Sequence, residues 1–187
     1  AQRVVRLANS FAKNDYDVSI ICAAESALEI ISTDKLENLH SNVTPICLID
    51  PVSKFYNDSF NNKVLLFIRK IWTYLSFPDK HILWFITNRR KLRKCIINLQ
   101  PDLIISTHSP FTNHFVARYL KKFSGVRTIW IADFRDAWAK NPTFLAGNEK
   151  QALGFLRSYQ EKAITNNANY ITSVSRRCLD TIIIDER

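Results

Sequence analysis

The sequence is poor in glycine, lacks methionine and contains no long apolar run. Only three of the 187 residues are glycine. This scarcity excludes an intact glycine-rich phosphate loop within these residues. Neither Ser106 nor Ser109 lies in a Gly-x-Ser-x-Gly elbow, which argues against a serine nucleophile of the hydrolase type. The apolar run from Val64 to Ile68 ends at Arg69. It is therefore too short to cross a bilayer.

The four cysteines lie far apart in the sequence, at Cys22, Cys47, Cys95 and Cys178. No two of them have the close spacing of a zinc site, and a disulfide framework is unusual in a chain of this length and apolar content. Three of them fall in apolar stretches typical of strands or of one helix face. We therefore expect reduced core thiols, a reducing compartment and no bound metal.

Apolar residues make up 47% of the chain and aromatic residues 12%, enough for a substantial core and too much for a disordered protein. The first residues have helical spacing without a capping residue ahead of them, so we expect that the natural start of the protein lies upstream.

Positive charge is concentrated in residues 63–94, here called the basic segment. The formal net charge of the chain is +9, and this segment holds nine basic residues against the single acid Asp79. Such a charge run is commonly a solvated helix face, but here aromatic residues such as Trp72 and Trp84 are interleaved with it. Cations and aromatics together suit contact with an anionic membrane. No recognised nucleic-acid-binding module accompanies the charge, so we do not expect nucleic acid as a partner.

Hydrophobic spacing predicts strands that alternate with helices. The predicted strands are 17–23, 42–49, 101–106, 126–131 and 169–174; the predicted helices are 1–12, 57–75, 79–99, 110–123 and 148–166, with a polar loop over 132–147. Pro45 interrupts the second strand, and Pro78 separates two helices into a hairpin. The alternation predicts an α/β fold, with a Rossmann-like parallel sheet and helices on both faces.

Parallel sheets of this kind bind ligands at the carboxyl ends of their strands. The stretch Asp133 to Trp138 directly follows a predicted strand and holds three charges and two aromatics. Its charges could form a structural ion-pair network, or they could bind phosphate and sugar hydroxyls. We favour binding for Arg135 and Asp136, and leave both readings open for Asp133 and Trp138.

A second candidate region follows the preceding predicted strand. His108 and Ser109 stand just before Pro110, a residue that commonly opens a helix and leaves backbone N–H groups available to an anion. His108 could bind a ligand or be an ordinary solvated loop residue. His114 lies about 120° further around the helix, so the two histidines do not form a metal pair.

Three stretches carry a resemblance to a known family: PDLIISTHSPFTNHFVARYLKK, GVRTIWIADFRDAW and EKAITNNANYITSVS. They resemble the N-terminal domain of family 4 glycosyltransferases, particularly a bacterial subgroup with a strand that ends in Asp-Phe-Arg-Asp-x-Trp. The resemblance covers the whole chain. It implies one acceptor-side half of a GT-B enzyme, with the first strand and its glycine-rich loop upstream and a nucleotide-sugar domain downstream.

The resemblance also implies a retaining transfer of a sugar from a nucleotide-sugar to a glycan or lipid-linked acceptor, as in cell-surface polysaccharide synthesis. No metal or other cofactor is expected, and this chain alone is expected to be inactive. Many relatives have a catalytic histidine where this chain has Arg135 or Asp136, which makes Asp136 our first choice for contact with the reacting sugar. Glu161 matches a frequent helix glutamate of the family, and Ser175 falls near its interdomain hinge, so both are expected to be supporting residues.

This interpretation implies one site that contains both catalytic residues and substrate contacts. Its catalytic residues are Asp136 and Arg135, and its substrate contacts come from His108, Ser109, Asp133 and Trp138. We expect a cytoplasmic protein that can dock on the inner face of the plasma membrane. Two alternatives remain: a non-catalytic Rossmann-like module docked on a membrane or a partner, and an unrelated phosphate-ester or nucleotide-binding α/β enzyme.

Overall fold

The structure, a computed structural model, describes residues 2–24, 39–51, 66–67, 76–108, 110–136, 138–139 and 154–183. Helices and strands alternate along these ranges. The helices are α1 (Gln2–Ala12), α2 (Ile82–Leu99), α3 (Thr112–Lys121), α4 (Gly154–Thr165) and α5 (Arg176–Ile183). The strands are β1 (Val18–Ala24), β2 (Val43–Ile49), β3 (Leu103–Thr107), β4 (Ile129–Phe134) and β5 (Tyr170–Ser173).

The chain forms two compact units. Unit 1 comprises Ala1–Ser76 and Ile82–Asn88, and unit 2 comprises Phe77–His81 and Arg89–Arg187. The first two turns of α2 therefore belong to unit 1 and the remainder of that helix to unit 2.

Unit 1 is built on the parallel pair of β1 and β2, which run in register from Val18 opposite Val43 to Ala24 opposite Ile49. Helix α1 packs on this pair through two small residues, Ala8 and Ala12, which are buried with Val43. The helix can approach the strands closely because alanine carries only a methyl group. The predicted helix over 1–12 and the predicted strands over 17–23 and 42–49 are confirmed.

Proline does not interrupt β2. Pro45 lies within the strand, opposite Ile20, and the ladder continues on both sides of it. In the described residues β2 pairs with β1 alone, and an edge strand tolerates a residue that has no N–H to donate. The predicted irregularity at this proline was therefore wrong.

The first two turns of α2 are tied to the end of β2 by side chains. The indole Nε1 of Trp84 donates to the carbonyl of Leu48 at 3.0 Å. The amide Nδ2 of Asn88 donates to the carbonyl of Ile49 at 3.0 Å and to that of Trp84 at 2.9 Å. Both side chains are buried, so these bonds satisfy polar groups that water does not reach.

Unit 2 contains the parallel sheet β3-β4-β5, with α3 between the first two strands in sequence and α4 between the last two. Its core includes Trp130, Phe134, Phe111 and Ile164, all at most 2% exposed. Parallel strands connected by helices confirm the predicted α/β, Rossmann-like fold class.

Strand β4 extends further than its sequence pattern indicated. We predicted a strand over 126–131, but β4 starts at Ile129 and includes Asp133 and Phe134, which we had placed in the loop over 132–147. A turn occupies the predicted start, where the amide of Thr128 donates to the carbonyl of Gly125. The polar Asp133 is accommodated in the strand because neighbouring strands supply hydrogen-bond donors to its carboxylate.

Two further differences concern helices. The last helix, α5, was not predicted, although Ser175 precedes it as a capping residue: its hydroxyl accepts from the amide of Cys178 at 3.2 Å. Most of the first arm of the predicted hairpin, over 57–75, lies outside the described residues. The second arm is confirmed as α2.

We expect Asn88→Ala to lower the free energy of unfolding by about 1–3 kcal/mol, because the carbonyl of Ile49 would lose its buried donor. Asn98→Ala is the matched control, since Asn98 is an exposed asparagine of the same helix and its loss should cost less than about 0.5 kcal/mol. Denaturant unfolding of both variants measures the difference. Equal effects would show that the buried amide does not hold α2 to β2.

Candidate functional site

A row of polar side chains joins the carboxyl ends of the three strands of unit 2. Asp133 lies in register with Thr107 of β3 and Thr172 of β5. Its Oδ2 accepts from the hydroxyl of Thr107 at 2.8 Å, and its Oδ1 accepts from that of Thr172 at 3.0 Å. Asp133 is only 6% exposed. Its carboxylate is therefore engaged in holding the strand ends together.

His108 is the first residue after β3 and lies beside this row. Its backbone amide donates to the carbonyl of Asp133 at 3.0 Å, and its ring packs edge-on against Phe111 and stacks on His114. The side chain is 6% exposed, which excludes the reading of a solvated loop residue. Among the described residues its Nδ1 has no hydrogen-bond partner.

A second polar network lies within the core beneath the strand ends. The Nε1 of Trp130 donates to the hydroxyl oxygen of Ser106 at 2.9 Å, and that oxygen lies 2.8 Å from Nδ1 of His114. The indole N–H donates in the first of these bonds, whereas the donor in the second, Oγ or Nδ1, depends on which imidazole nitrogen carries the proton. Nε2 of His114 has no partner within the described residues.

Burial controls the protonation of both histidines. It lowers the pKa of His114 to about 3, and the neighbouring His108 adds a smaller effect in the same direction. Burial also lowers the pKa of His108, where the carboxylates of Asp136 and Asp79 oppose the shift and Arg135 adds to it. Both rings are therefore neutral at pH 7.

The carboxylate of Asp79 binds the N-terminus of α3. The sequence alone did not indicate this contact. Oδ2 of Asp79 accepts from the amide of Thr112 at 2.8 Å and its Oδ1 from the hydroxyl of Thr112 at 2.7 Å. We had predicted that the first amides of this helix would receive an anionic ligand. The amide of Thr112 is instead used by a carboxylate 33 positions earlier in the chain, and this long separation left no local sequence signal.

Trp138 and Glu161 support the loop that follows β4. The ring of Trp138 stacks on Phe111 with centroids 3.7 Å apart and also contacts Phe77. Oε2 of Glu161 accepts from the amides of Trp138 and Ala139 at 2.7 and 3.0 Å. Both side chains are buried, at 2% and 3% exposed.

Arg135 and Asp136 are both exposed at the end of β4. Helix α5 approaches the same loop, since the thiol of Cys178 contacts the carbonyl of Arg135 at 3.9 Å. Two charged side chains thus project into solvent from a loop whose neighbours are buried. Their position is the edge of the sheet at which parallel α/β folds bind ligands.

The structure thus brings together His108, Asp133, Arg135, Asp136 and Trp138 at one edge of the sheet. Glu161 contacts the loop from α4, whereas Ser175 caps α5. Ser109 lies outside the described residues. Substrate contact by any of these residues stays a prediction, and the side chains of Asp133 and Trp138 are engaged within the protein itself.

The comparisons with known proteins identify the family. The family model described as Glycosyltransferase Family 4 matches residues 1–184. The chain belongs to this family. No curated protein and no solved structure matches the chain significantly. Membership of family 4 makes it a glycosyltransferase domain, with a sugar donor and an acceptor as the substrates of the family's reaction.

The basic segment of this family 4 domain is only partly described. Trp84, one of the aromatics that suggested membrane contact, is buried. Within unit 2, the guanidinium of Arg93 lies over the ring of Phe123 at 4.6 Å and that of Arg89 over Tyr119 at 5.8 Å. Among the residues that the structure describes, no helix has both the length and the apolar character needed to cross a bilayer.

We expect acid to destabilise the domain through His114. Its pKa in the folded state, about 3, lies below the ordinary value of 6.5, so the unfolded chain binds the proton first as the pH falls. The stabilising contribution is complete above about pH 6.5 and is lost towards pH 3, by up to about 1.4 kcal/mol per pH unit.

Urea unfolding between pH 7 and pH 4 tests this, with His114→Asn compared with wild type. The variant should have a shallower dependence of unfolding free energy on pH, whatever its absolute stability. His40→Asn, a histidine of unit 1, is the control. Parallel curves for His114→Asn and wild type would contradict the assignment.

Proposed function

We propose that the chain is the acceptor-binding domain of a retaining glycosyltransferase that moves a sugar from a nucleotide-sugar to a glycan or lipid-linked acceptor. Family membership supports sugar transfer in general. The observation that carries the site assignment is the pair of exposed charges, Arg135 and Asp136, at the carboxyl end of β4 and beside the buried His108. Cell-surface polysaccharide synthesis is the proposed context.

In this proposal each residue has a distinct task. The carboxylate of Asp136 accepts hydrogen bonds from sugar hydroxyls and so orients the acceptor or the reacting sugar. The guanidinium of Arg135 holds an anionic group, for which its planar set of N–H donors is suited. His108 is neutral and its Nδ1 has no partner in the described part of the chain. Because that atom is buried, contact with a hydroxyl of the substrate requires the ring to turn outwards.

A strong base is not required from this domain. In a retaining reaction the departing phosphate can take the proton of the acceptor hydroxyl, as the family resemblance implies. We propose that the site uses no metal and no other cofactor, as the family resemblance implies. The donor nucleotide is proposed to bind a second domain outside this chain, so the chain alone is proposed to be inactive.

The buried residues around the loop keep the two exposed charges in position. Asp133 holds β4 to both neighbouring strands, and Glu161 holds the backbone at Trp138. Catalytic geometry depends on such support because small displacements of a contacting group reduce turnover strongly.

The test is turnover of a panel of nucleotide-sugars by the full-length protein. Asp136→Ala and Arg135→Ala should each lower kcat/KM by about 100-fold or more without changing stability, since both side chains are exposed. Arg135→Lys should recover only part of the loss, because an ammonium cannot replace a guanidinium fork. Asp102→Ala, an exposed aspartate at the amino end of β3, is the matched control.

Asp133→Ala tests whether Asp133 has a structural role rather than a role in substrate contact. It should lower the free energy of unfolding by about 1–3 kcal/mol, because its two threonine partners lose their acceptor.

Full activity of Asp136→Ala on a donor that wild type consumes would refute the site assignment. If wild type consumes no donor but still binds vesicles, the non-catalytic binding module becomes the better interpretation.

We also propose that the protein is cytoplasmic and makes peripheral contact with anionic membranes through the basic segment. The supporting observation is that Arg90, Lys91 and Lys94 are exposed on α2. Arg90→Glu combined with Lys94→Glu should weaken binding to phosphatidylserine vesicles at least about tenfold at low salt. The control reverses Arg127 and Lys162, exposed cations outside the segment, and equal losses in both variants would contradict a specific surface.

A further inference from the structure

Two cysteines that are far apart in the sequence lie side by side on the paired strands of unit 1. Cys22 of β1 and Cys47 of β2 are register partners in the parallel ladder. Their Sγ atoms are 2.7 Å apart in a thiol–thiol contact. Sequence spacing alone had favoured four separate thiols. The pairing arises only because Val18 and Val43 start the two strands in the same register.

The backbone geometry at this position suits a disulfide. Neighbouring strands lie about 4.8 Å apart, and the Cα atoms of disulfides are usually between about 4.4 and 6.8 Å apart. Because paired residues of a parallel ladder point to the same face, the two Cβ atoms also project in one direction. An Sγ–Sγ bond can thus form without exchange of strand register.

Neither cysteine is fully buried. Each is partly exposed rather than sealed in the core, and each lies two residues before its strand ends, at Ala24 and Ile49. No group of three or more His, Cys, Asp or Glu side chains within the described residues could hold a metal ion. Among the described residues the pair therefore has the geometry of a dithiol without the further ligands of a metal site.

We propose that Cys22 and Cys47 form a reversible disulfide by exchange with a small disulfide such as oxidised glutathione. The thiolate of one cysteine attacks a glutathione sulfur, which forms a mixed disulfide and releases one glutathione thiolate. The thiolate of the other cysteine then attacks the protein sulfur of the mixed disulfide and releases the second glutathione. The protein loses two electrons, oxidised glutathione gains them, and the two thiol protons pass to the released glutathiones.

The bond would join β1 to β2 near their carboxyl ends, where the amide of Asp50 also donates to the carbonyl of Ala24 at 2.7 Å. It would close the intervening chain into a loop and so restrict the unfolded ensemble. This redox site is independent of the proposed transferase function, since it involves only unit 1 and needs no sugar substrate.

The experiment exposes the reduced, folded protein to mixtures of oxidised and reduced glutathione, blocks remaining thiols by alkylation and maps the peptides by mass spectrometry. A crosslinked peptide containing Cys22 and Cys47, lighter by two hydrogens than its reduced parts, is expected. Of the four cysteines of the chain, only Cys95 and Cys178 should then be alkylated. In denaturant the preference for the Cys22–Cys47 pair should disappear.

Single variants serve as controls. Cys22→Ser and Cys47→Ser should each lose the crosslink and carry glutathione on the remaining partner, while Cys95→Ser and Cys178→Ser should form it like wild type. Stable glutathione adducts on wild-type Cys22 or Cys47 without the crosslink would overturn the proposal. So would a crosslinked peptide that joins either residue to Cys95 or Cys178 in the folded protein.

Discussion

The carboxylate of Asp133 is the interaction on which the ordered edge of unit 2 depends. It accepts hydrogen bonds from Thr107 and Thr172 on the strands to either side, so one side chain joins all three strand ends. A carboxylate buried in this way is tolerated only because both oxygens have donors. The positions of His108 and of the loop after β4 follow from it, because both are direct continuations of the strands that it holds.

The polar residues near these strand ends form two groups, one engaged within the protein and one exposed to solvent. Asp133, Glu161, Asp79 and His114 direct their polar atoms towards other parts of the protein, whereas Arg135 and Asp136 stay exposed. The division explains why charged residues that are adjacent in the sequence have different tasks in the structure. The hydrogen bonds of Asp133 and Glu161 hold the backbone on either side of these two solvent-facing charges, and recognition of a sugar or a phosphate depends on such support.

Strand register has a comparable effect in unit 1. The ladder between β1 and β2 brings two thiols from positions 22 and 47 into contact, as the ladder of unit 2 brings Thr107, Asp133 and Thr172 into one row. In both places the chemistry depends on parallel pairing rather than on any local motif. The same physical cause thus lies behind the candidate site and the proposed redox pair.

The α/β class, most helices and strands, the family resemblance and the position of the stretch Asp133 to Trp138 at a strand end followed from the sequence, because hydrophobic periodicity and a charged strand end are local properties. The contacts that assign tasks within that stretch did not. Asp79 reaches Thr112 of α3 from 33 positions away, and Asp133 bonds Thr107 and Thr172 across 26 and 39 positions. Such long-range pairs, like Cys22 and Cys47, were decided by tertiary structure, since only the folded sheet sets the register that brings them together.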